Sequence, residues 1–533
     1  MAVLALIAGA VLAAGAVYRA SGEKGTKCRT TEQGCAKHSG ATKRRPKRGI
    51  YVAEQQRGAG NGSSCANAYG VTWFNNPTDW GSGPGRIHAN TTVRLCGTIS
   101  TPLTVHGSGA PARPITIAWE TGATLSAPAW TGRGAIDTNG FGNLTFNGGG
   151  TGSIQATAEG TGLAMQGVPS RGVYALNCNG CVFENLTIEN LYVHTSPSDV
   201  SVDQTLDNAI LFSGSHITIA DNTIHDVGWA LFSQWTNGNG HDRIYGNNIY
   251  RFDHGFAATA SGTVGPMFFY RNHLHDMANW DAAVGGDVPY HHDGLHCFGP
   301  VGGPAPTYTG FYIYDNRFDG TVGRAAPTAQ IFMEGGTGPG RTPCASSSSA
   351  VYLFNNVITS SDFDTANQYM NTASIAGGVY NNTVIGASKT DSLGGCGGYA
   401  YEQPGSEVAF ANNVLSTCDN LMNQAGEPNG SFRAGSPDYN VYANGGENSF
   451  TCDGNFYGFS QFSAWKACVN GDRHSRRVAT AELDNVGAPE PGSRVLDAGV
   501  NLTPLCKGLL APLCTDITGR RRPRTGPWNA GAY

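Results

Sequence analysis

The densest run of residues able to do chemistry is Tyr290-His291-His292-Asp293-Gly294-Leu295-His296, preceded by Trp280, Asp281 and Asp287. Imidazole and carboxyl groups this close together are the equipment of general acid–base catalysis. Tryptophan and tyrosine add flat faces on which sugar rings stack. Asp293, His296 and His292 are therefore the candidate proton-transfer groups, and Trp280, Tyr290, His291, His254, Asp281 and Asp287 the candidate substrate contacts, with Trp229 and Trp235 as further stacking faces if they are exposed. No metal site is expected from His292, Asp293 and His296, because strand alternation splits them unless a turn at Gly294 brings them round.

What positions this run is an internal repeat. A short strand, an Asn and an apolar β-former recur in Ile219-Ala220-Asp221-Asn222-Thr223-Ile224, Ile244-Tyr245-Gly246-Asn247-Asn248-Ile249 and Phe269-Tyr270-Arg271-Asn272-His273-Leu274. Asn222, Asn247 and Asn272 stand 25 residues apart each time, and further copies fall at Asn316, Asn355-Asn356, Asn381-Asn382 and Asn412-Asn413, with a weaker one at Asn185. A period near 25 suits one coil of three short strands and three turns. Asn suits the corner, because it tolerates the left-handed conformation and its amide can bond to the same residue of the next coil.

The step from Asn272 to Asn316 is 44 residues, so one coil carries an insertion, and it lies beside the candidate run. Long loops on a rigid scaffold are where binding collects. Stacking the coils aligns Gly294-Leu295-His296-Cys297 with Gly255-Phe256-Ala257-Ala258 before it and Gln330-Ile331-Phe332-Met333 after it. Leu295, Phe256 and Ile331 then face the core and His296 faces out. The same register brings Asp253 and His254 from the preceding coil, and Glu334 from the following one, toward Asp293. His225-Asp226 and His275-Asp276 recur at one place in two coils, which reads as turn chemistry.

Composition agrees with a solenoid of strands. Of 533 residues only 14% are charged, Gly occurs 75 times, and the formal net charge of −5 gives no case for a nucleic-acid partner. Residues 1–20 are mostly small and apolar and read as an export signal or N-terminal anchor. Residues 21–48 form a basic, flexible linker, 49–440 the coils, and 441–533 terminal coils and a cap around Cys452, Cys468, Cys506 and Cys514. Fourteen cysteines with an export signal imply disulfides, and Cys178-Asn179-Gly180-Cys181, flanked by strands, reads as structural rather than redox.

The Asn repeats, the opening Tyr51-Val52-Ala53 with its Gly-rich turn, and the ending Thr515-Asp516-Ile517-Thr518-Gly519-Arg520 to Gly531-Ala532-Tyr533 resemble the right-handed parallel β-helix proteins of the pectate lyase and polygalacturonase-like superfamily. The resemblance covers residues 49–440 and the tail. It implies an all-β, three-sheet right-handed parallel β-helix with a disulfide-rich C-terminal cap, on which hydrolases, lyases, spikes and adhesins are all built. Asp293-Gly294-Leu295-His296 resembles the Asn-Thr-Asp-Gly-x-Asp stretch of polygalacturonase-like hydrolases, with His291-His292 in place of Asn-Thr and His296 in place of the last Asp.

The expectation is a secreted or cell-surface enzyme that cleaves a polysaccharide. In a hydrolase Asp293 is the general acid, with Asp253 or Glu334 opposite it activating water. In a lyase His296 or His292 is the base, Tyr290 assists, and an acidic neighbour neutralises a substrate carboxylate directly or through a cation, Ca2+ being the one the resemblance implies. The alternative is a non-enzymatic rod, an adhesin, sheath or fibre subunit, in which the apolar and basic N-terminal segments serve cell-surface attachment or self-assembly.

Overall fold

The computed structural model describes residues 49–193, 207–278, 280, 292–323, 327–335, 342–359, 368–372, 377–387, 395–397, 399–400, 407–424 and 431–533. The expected signal and linker, and Asp281, Asp287, Tyr290 and His291, lie outside them.

Short β-branched and aromatic stretches separated by Gly, Asn and Asp pair in parallel with the stretch one coil away. The result is a parallel β-helix. Among the described residues, one sheet of fourteen strands forms the first face, from Tyr69–Gly70 and Ile50–Ala53 through to Ser431–Phe432. A twenty-stranded sheet supplies the second and third faces, which merge because Thr223–Trp235 and Asn248–Ala260 run continuously around the corner between them. The corner is turned by Asp226, Arg251 and Asp276 at φ of 52°, 49° and 48°, which accounts for the repeated His-Asp pairs.

Each face sends columns of apolar side chains inward. On the first, Phe146, Phe183, Ile219, Ile244, Phe269 and Ile313 stack in register. On the second, Ile188, Ile224, Ile249, Leu274, Phe318 and Ile358 do so. On the third the column is Val173, Ile210, Leu231, Phe256, Leu295 and Ile331. All are buried in one continuous core. A fully buried aliphatic or aromatic side chain contributes about 1.5–3 kcal/mol, so the columns are the main stabilising term.

The Asn repeat forms a ladder along the corner between the first and second faces. Side-chain amides pass from Asn222 to Asn247 (2.9 Å), Asn247 to Asn272 (2.9 Å), Asn272 to Asn316 (3.1 Å), Asn316 to Asn356 (3.0 Å), Asn356 to Asn382 (2.9 Å), Asn382 to Asn413 (3.0 Å) and Asn413 to Asn440 (3.2 Å). One expectation is corrected. The left-handed residue is the one before the ladder Asn: Asp221, Gly246, Arg271, Asp315, Asn355, Asn381 and Asn412 all have φ between 53° and 68°. The two jobs fall on consecutive positions, because a left-handed residue turns the chain and the next can then aim its amide along the axis. Asn185, at φ 57°, takes the turning job, and Leu186 stands at the ladder position of its coil.

Among the described residues six disulfides join Cys65 to Cys96, Cys178 to Cys181, Cys297 to Cys344, Cys396 to Cys418, Cys452 to Cys468 and Cys506 to Cys514. Disulfides form and persist in oxidising compartments. Beyond Asn440 the solenoid is closed by a hairpin (Phe450–Cys452 with Asn455–Tyr457) and a helix, Phe462–Val469. Trp465 of that helix is buried against Phe450, and its indole N–H donates to Asp472 at 2.7 Å. The last residues turn back along the flank, where Leu502, Leu513 and Trp528 cover Phe354 and Tyr380. Among the described residues no helix is long and apolar enough to cross a membrane.

Candidate functional site

The site lies on the outer side of the third face, where the strands Asn248–Ala260, His292–Phe298 and Pro327–Met333 run side by side. The register is the expected one: Phe256 pairs with Leu295 and Ile331, and Ala257 with His296 and Phe332. One row holds Trp229, His254, Asp293 and Ala329, and a neighbouring row holds Phe232, Ala257, His296 and Phe332.

Glycine makes the two rows meet. A Cβ on Gly255 would stand 2.4 Å from Leu274 and 2.5 Å from the carbonyl oxygen of Gly294, and one on Gly294 would stand 2.4 Å from that of Gln330. Both positions therefore take no side chain. Asp293 and His296, three residues apart across Gly294, converge on one spot.

Five side chains form a continuous polar chain. Asp253 bonds Nδ1 of His254. Nε2 of His254 lies 3.2 Å from Asp293 Oδ2 and 3.3 Å from His296 Nδ1, and His296 Nδ1 lies 3.4 Å from the same Asp293 oxygen. At the outer end His296 Nε2 is 3.4 Å from Glu334 Oε2. The other oxygen of Asp293 accepts the backbone N–H of Ala329 at 2.9 Å. Asp253, His254 and Asp293 are buried, His296 is 9% exposed, and Glu334 is partly exposed, so the chain leads from the interior to the surface. Burial alone would lower the His254 pKa, but the charge of Asp253 and hydrogen bonds to Asp253 and Asp293 outweigh it and hold it up at about 9.

Asp253, His254, Asp293, His296 and Glu334 are thus brought together as the sequence register requires. Asp253 reaches the site through His254. His292 does not join them: its Nδ1 lies 3.0 Å from the carbonyl of Val322. Trp280 stacks on Tyr192, ring centroids 4.1 Å apart. Aromatic rings surround the imidazoles: Trp229, expected as a stacking face if exposed but buried here, lies 4.8 Å from His254, and Phe332 and Phe298, which local sequence did not single out, lie 4.8 Å and 5.0 Å from His296. Phe332 was findable, since it aligns with His296 one coil on. Nothing local marks Glu159, a buried carboxyl pushed up to about 9, chiefly by desolvation and further by the charge of Asp207.

Calcium takes six to eight oxygen ligands. Among the described residues this cluster converges two ring nitrogens and one carboxylate oxygen, a donor set that does not fit it.

No protein-family model matches the chain, and no curated protein does. Three solved structures follow its course. XylC in complex with xylose is 10% identical, with a TM-score of 0.46 over 91% of this chain and 98% of that one. Pectate lyase Pel9A is 13% identical, with a TM-score of 0.37 over 91% and 96%. The Dettilon tailspike protein is 13% identical, with a TM-score of 0.36 over 74% of this chain and 63% of that one. The parallel β-helix stands on the strand register itself, and these likenesses bring no chemistry to this chain.

Proposed function

We propose that this protein is a secreted enzyme that cleaves a polysaccharide by β-elimination, with Glu334 as the proton-transfer group. The observation that carries the reading is the polar chain from Asp253 to Glu334, set among aromatic rings on the outside of a rigid solenoid. Hydrolysis of a glycosidic bond takes two carboxyl groups that both reach the bond. Among the described cluster residues only Glu334 is a carboxylate at the surface, since Asp253 and Asp293 are fully buried. Elimination from a uronic acid unit needs one base, together with positive charge to stabilise the carbanion that forms. Behind Glu334 stand His296 and then His254, whose pKa is held up at about 9, with Trp229, Phe298 and Phe332 packed against the two rings. The disulfides suit export.

The test is a screen of uronate-containing and neutral polysaccharides, reading the ultraviolet absorbance of the unsaturated product end. Cleavage of a uronate polymer, lowered about 10²–10⁴-fold by Glu334→Gln, supports the reading. Reducing ends released without unsaturation would replace it with hydrolysis. Filaments or ordered arrays with no product from any polymer would favour the rod.

A further inference from the structure

We infer that His254, Asp293 and His296 form a binding site for a divalent transition-metal ion of the zinc type. Three donor atoms, His254 Nε2, Asp293 Oδ2 and His296 Nδ1, form a nearly equilateral triangle with sides of 3.2, 3.3 and 3.4 Å. A tetrahedral ion about 2.0–2.1 Å from each nitrogen, and slightly farther from a carboxylate oxygen, holds its ligands about 3.3 Å apart. The triangle therefore already has the dimensions of three corners of such a site.

The atoms behind the triangle make the same point independently. A metal-binding imidazole characteristically gives its second nitrogen to a carboxylate or carbonyl, which fixes the ring and strengthens it as a ligand. His254 does so here through Nδ1 to Asp253, and the Glu334 carboxylate stands 3.4 Å from Nε2 of His296. The carboxylate is steadied too, because its other oxygen accepts the Ala329 N–H. Two of the three ligands, His254 and Asp293, are thus held from the rear, with a carboxylate beside the third. Two imidazoles and one carboxylate suit zinc and its neighbours in the first transition row, not calcium or magnesium.

The expectation of no metal came from His292, Asp293 and His296, which strand alternation separates. The site drops His292, which turns to Val322, and takes His254 from the preceding coil. The inference rests on ligand geometry and not on the proposed reaction, so it is measured without substrate.

The experiment is zinc binding to the full chain, made in an oxidising compartment, stripped with a chelator and titrated with Zn2+ or Ca2+, with metal content read by mass spectrometry. The expected result is one zinc per chain and no retained calcium. Binding should fall at least about 100-fold in His254→Ala and in His296→Ala, and about 10–100-fold in Asp253→Asn. His275→Ala, on the second face, should bind as the parent does. Circular dichroism confirms that each variant is folded. X-ray absorption on the zinc-loaded parent, which needs no variant, should show two imidazoles with oxygen. A folded parent that binds no zinc, a folded His254→Ala/His296→Ala variant that keeps its zinc, or a sulfur or all-oxygen shell would each overturn the site. Zinc bound by a chain that cleaves no polysaccharide refutes only the reaction, and cleavage by a chain that binds no zinc refutes only the metal site.

Discussion

Asn272 donates its side-chain amide to Asn316 at 3.1 Å across 44 residues of chain, much as Asn222 donates to Asn247 at 2.9 Å across 25. The swollen coil therefore leaves the corner unchanged, and the added length is carried elsewhere in the turn. Asn316 accepts from both the backbone and side-chain N–H of Asn272 and donates to the carbonyl of Phe269 and to Asn356. Removing it strands buried partners, at about 1–3 kcal/mol for each group left without a bond. Asn316→Ala should cost about 2–4 kcal/mol in urea unfolding with an unchanged denaturant slope. A loss below about 0.5 kcal/mol would show that apolar columns alone hold the corners.

One buried carboxyl on the same corner makes stability depend on pH. Desolvation lifts Asp315 to about 7, against the hydrogen bond from Asn355 and the charges of Arg271 and Arg522, which lower it. A carboxyl whose folded pKa is raised favours its protonated form. Its contribution is complete below about pH 4, the unfolded value, and is lost as pH climbs through about 7. Asn stands at the equivalent left-handed position in three later coils, so Asp315→Asn fits the backbone. The variant should gain about 1–3 kcal/mol on the parent at pH 8 and little at pH 4, read from urea unfolding at both. An equal gain at both pH values would remove Asp315 from the pH dependence.

The returning tail gives a third prediction. Trp528 is buried over the outer aromatic stack, and Arg522 donates to Asn355 and to the carbonyl of Gly531. Trp528→Ala should cost about 3–5 kcal/mol, as large aromatic truncations do. If the tail were a loose appendage, the melting temperature would not move.

The fold was legible because its signals are periodic. Asn222, Asn247 and Asn272 gave the coil length, and alternation about Leu295 gave the correct inward and outward faces. The site was legible as far as register reaches, which placed His254, Asp293, His296 and Glu334 side by side. Register does not say that Asp293 and His296 point at one spot across Gly294, nor that His292 turns to Val322. Those depend on close backbone approaches between coils, which no single coil's sequence records. Trp235 shows the same limit. Read as a stacking face for sugars, it is buried in the core with its indole N–H on Asp242 at 2.8 Å, because its position in the strand sends it inward.

Glu334 owes its position to one disulfide, and this separates geometry from stability. Its backbone N–H donates to the carbonyl of Cys297 at 2.9 Å, and its carbonyl accepts from the N–H of Cys344 at 2.9 Å. Cys297 and Cys344 are bonded to each other, 47 residues apart in sequence, and Cys297 adjoins His296. The bridge thus clamps the strand that carries one member of the His296–Glu334 pair to the segment that carries the other. Replacing both cysteines with alanine should cost about 4 kcal/mol on the chain-entropy account. It should also let Glu334 drift from His296, and a displacement near 1 Å can cost about 10²-fold in rate. The expected result, measured well below the melting temperature, is a fall in kcat of tenfold or more with a smaller change in KM. The control is Cys178→Ala/Cys181→Ala, which opens a three-residue loop several coils away. It should leave kcat unchanged. If both double variants lowered kcat alike, the Cys297–Cys344 bridge would be acting through general stability, and Glu334 would need no clamp.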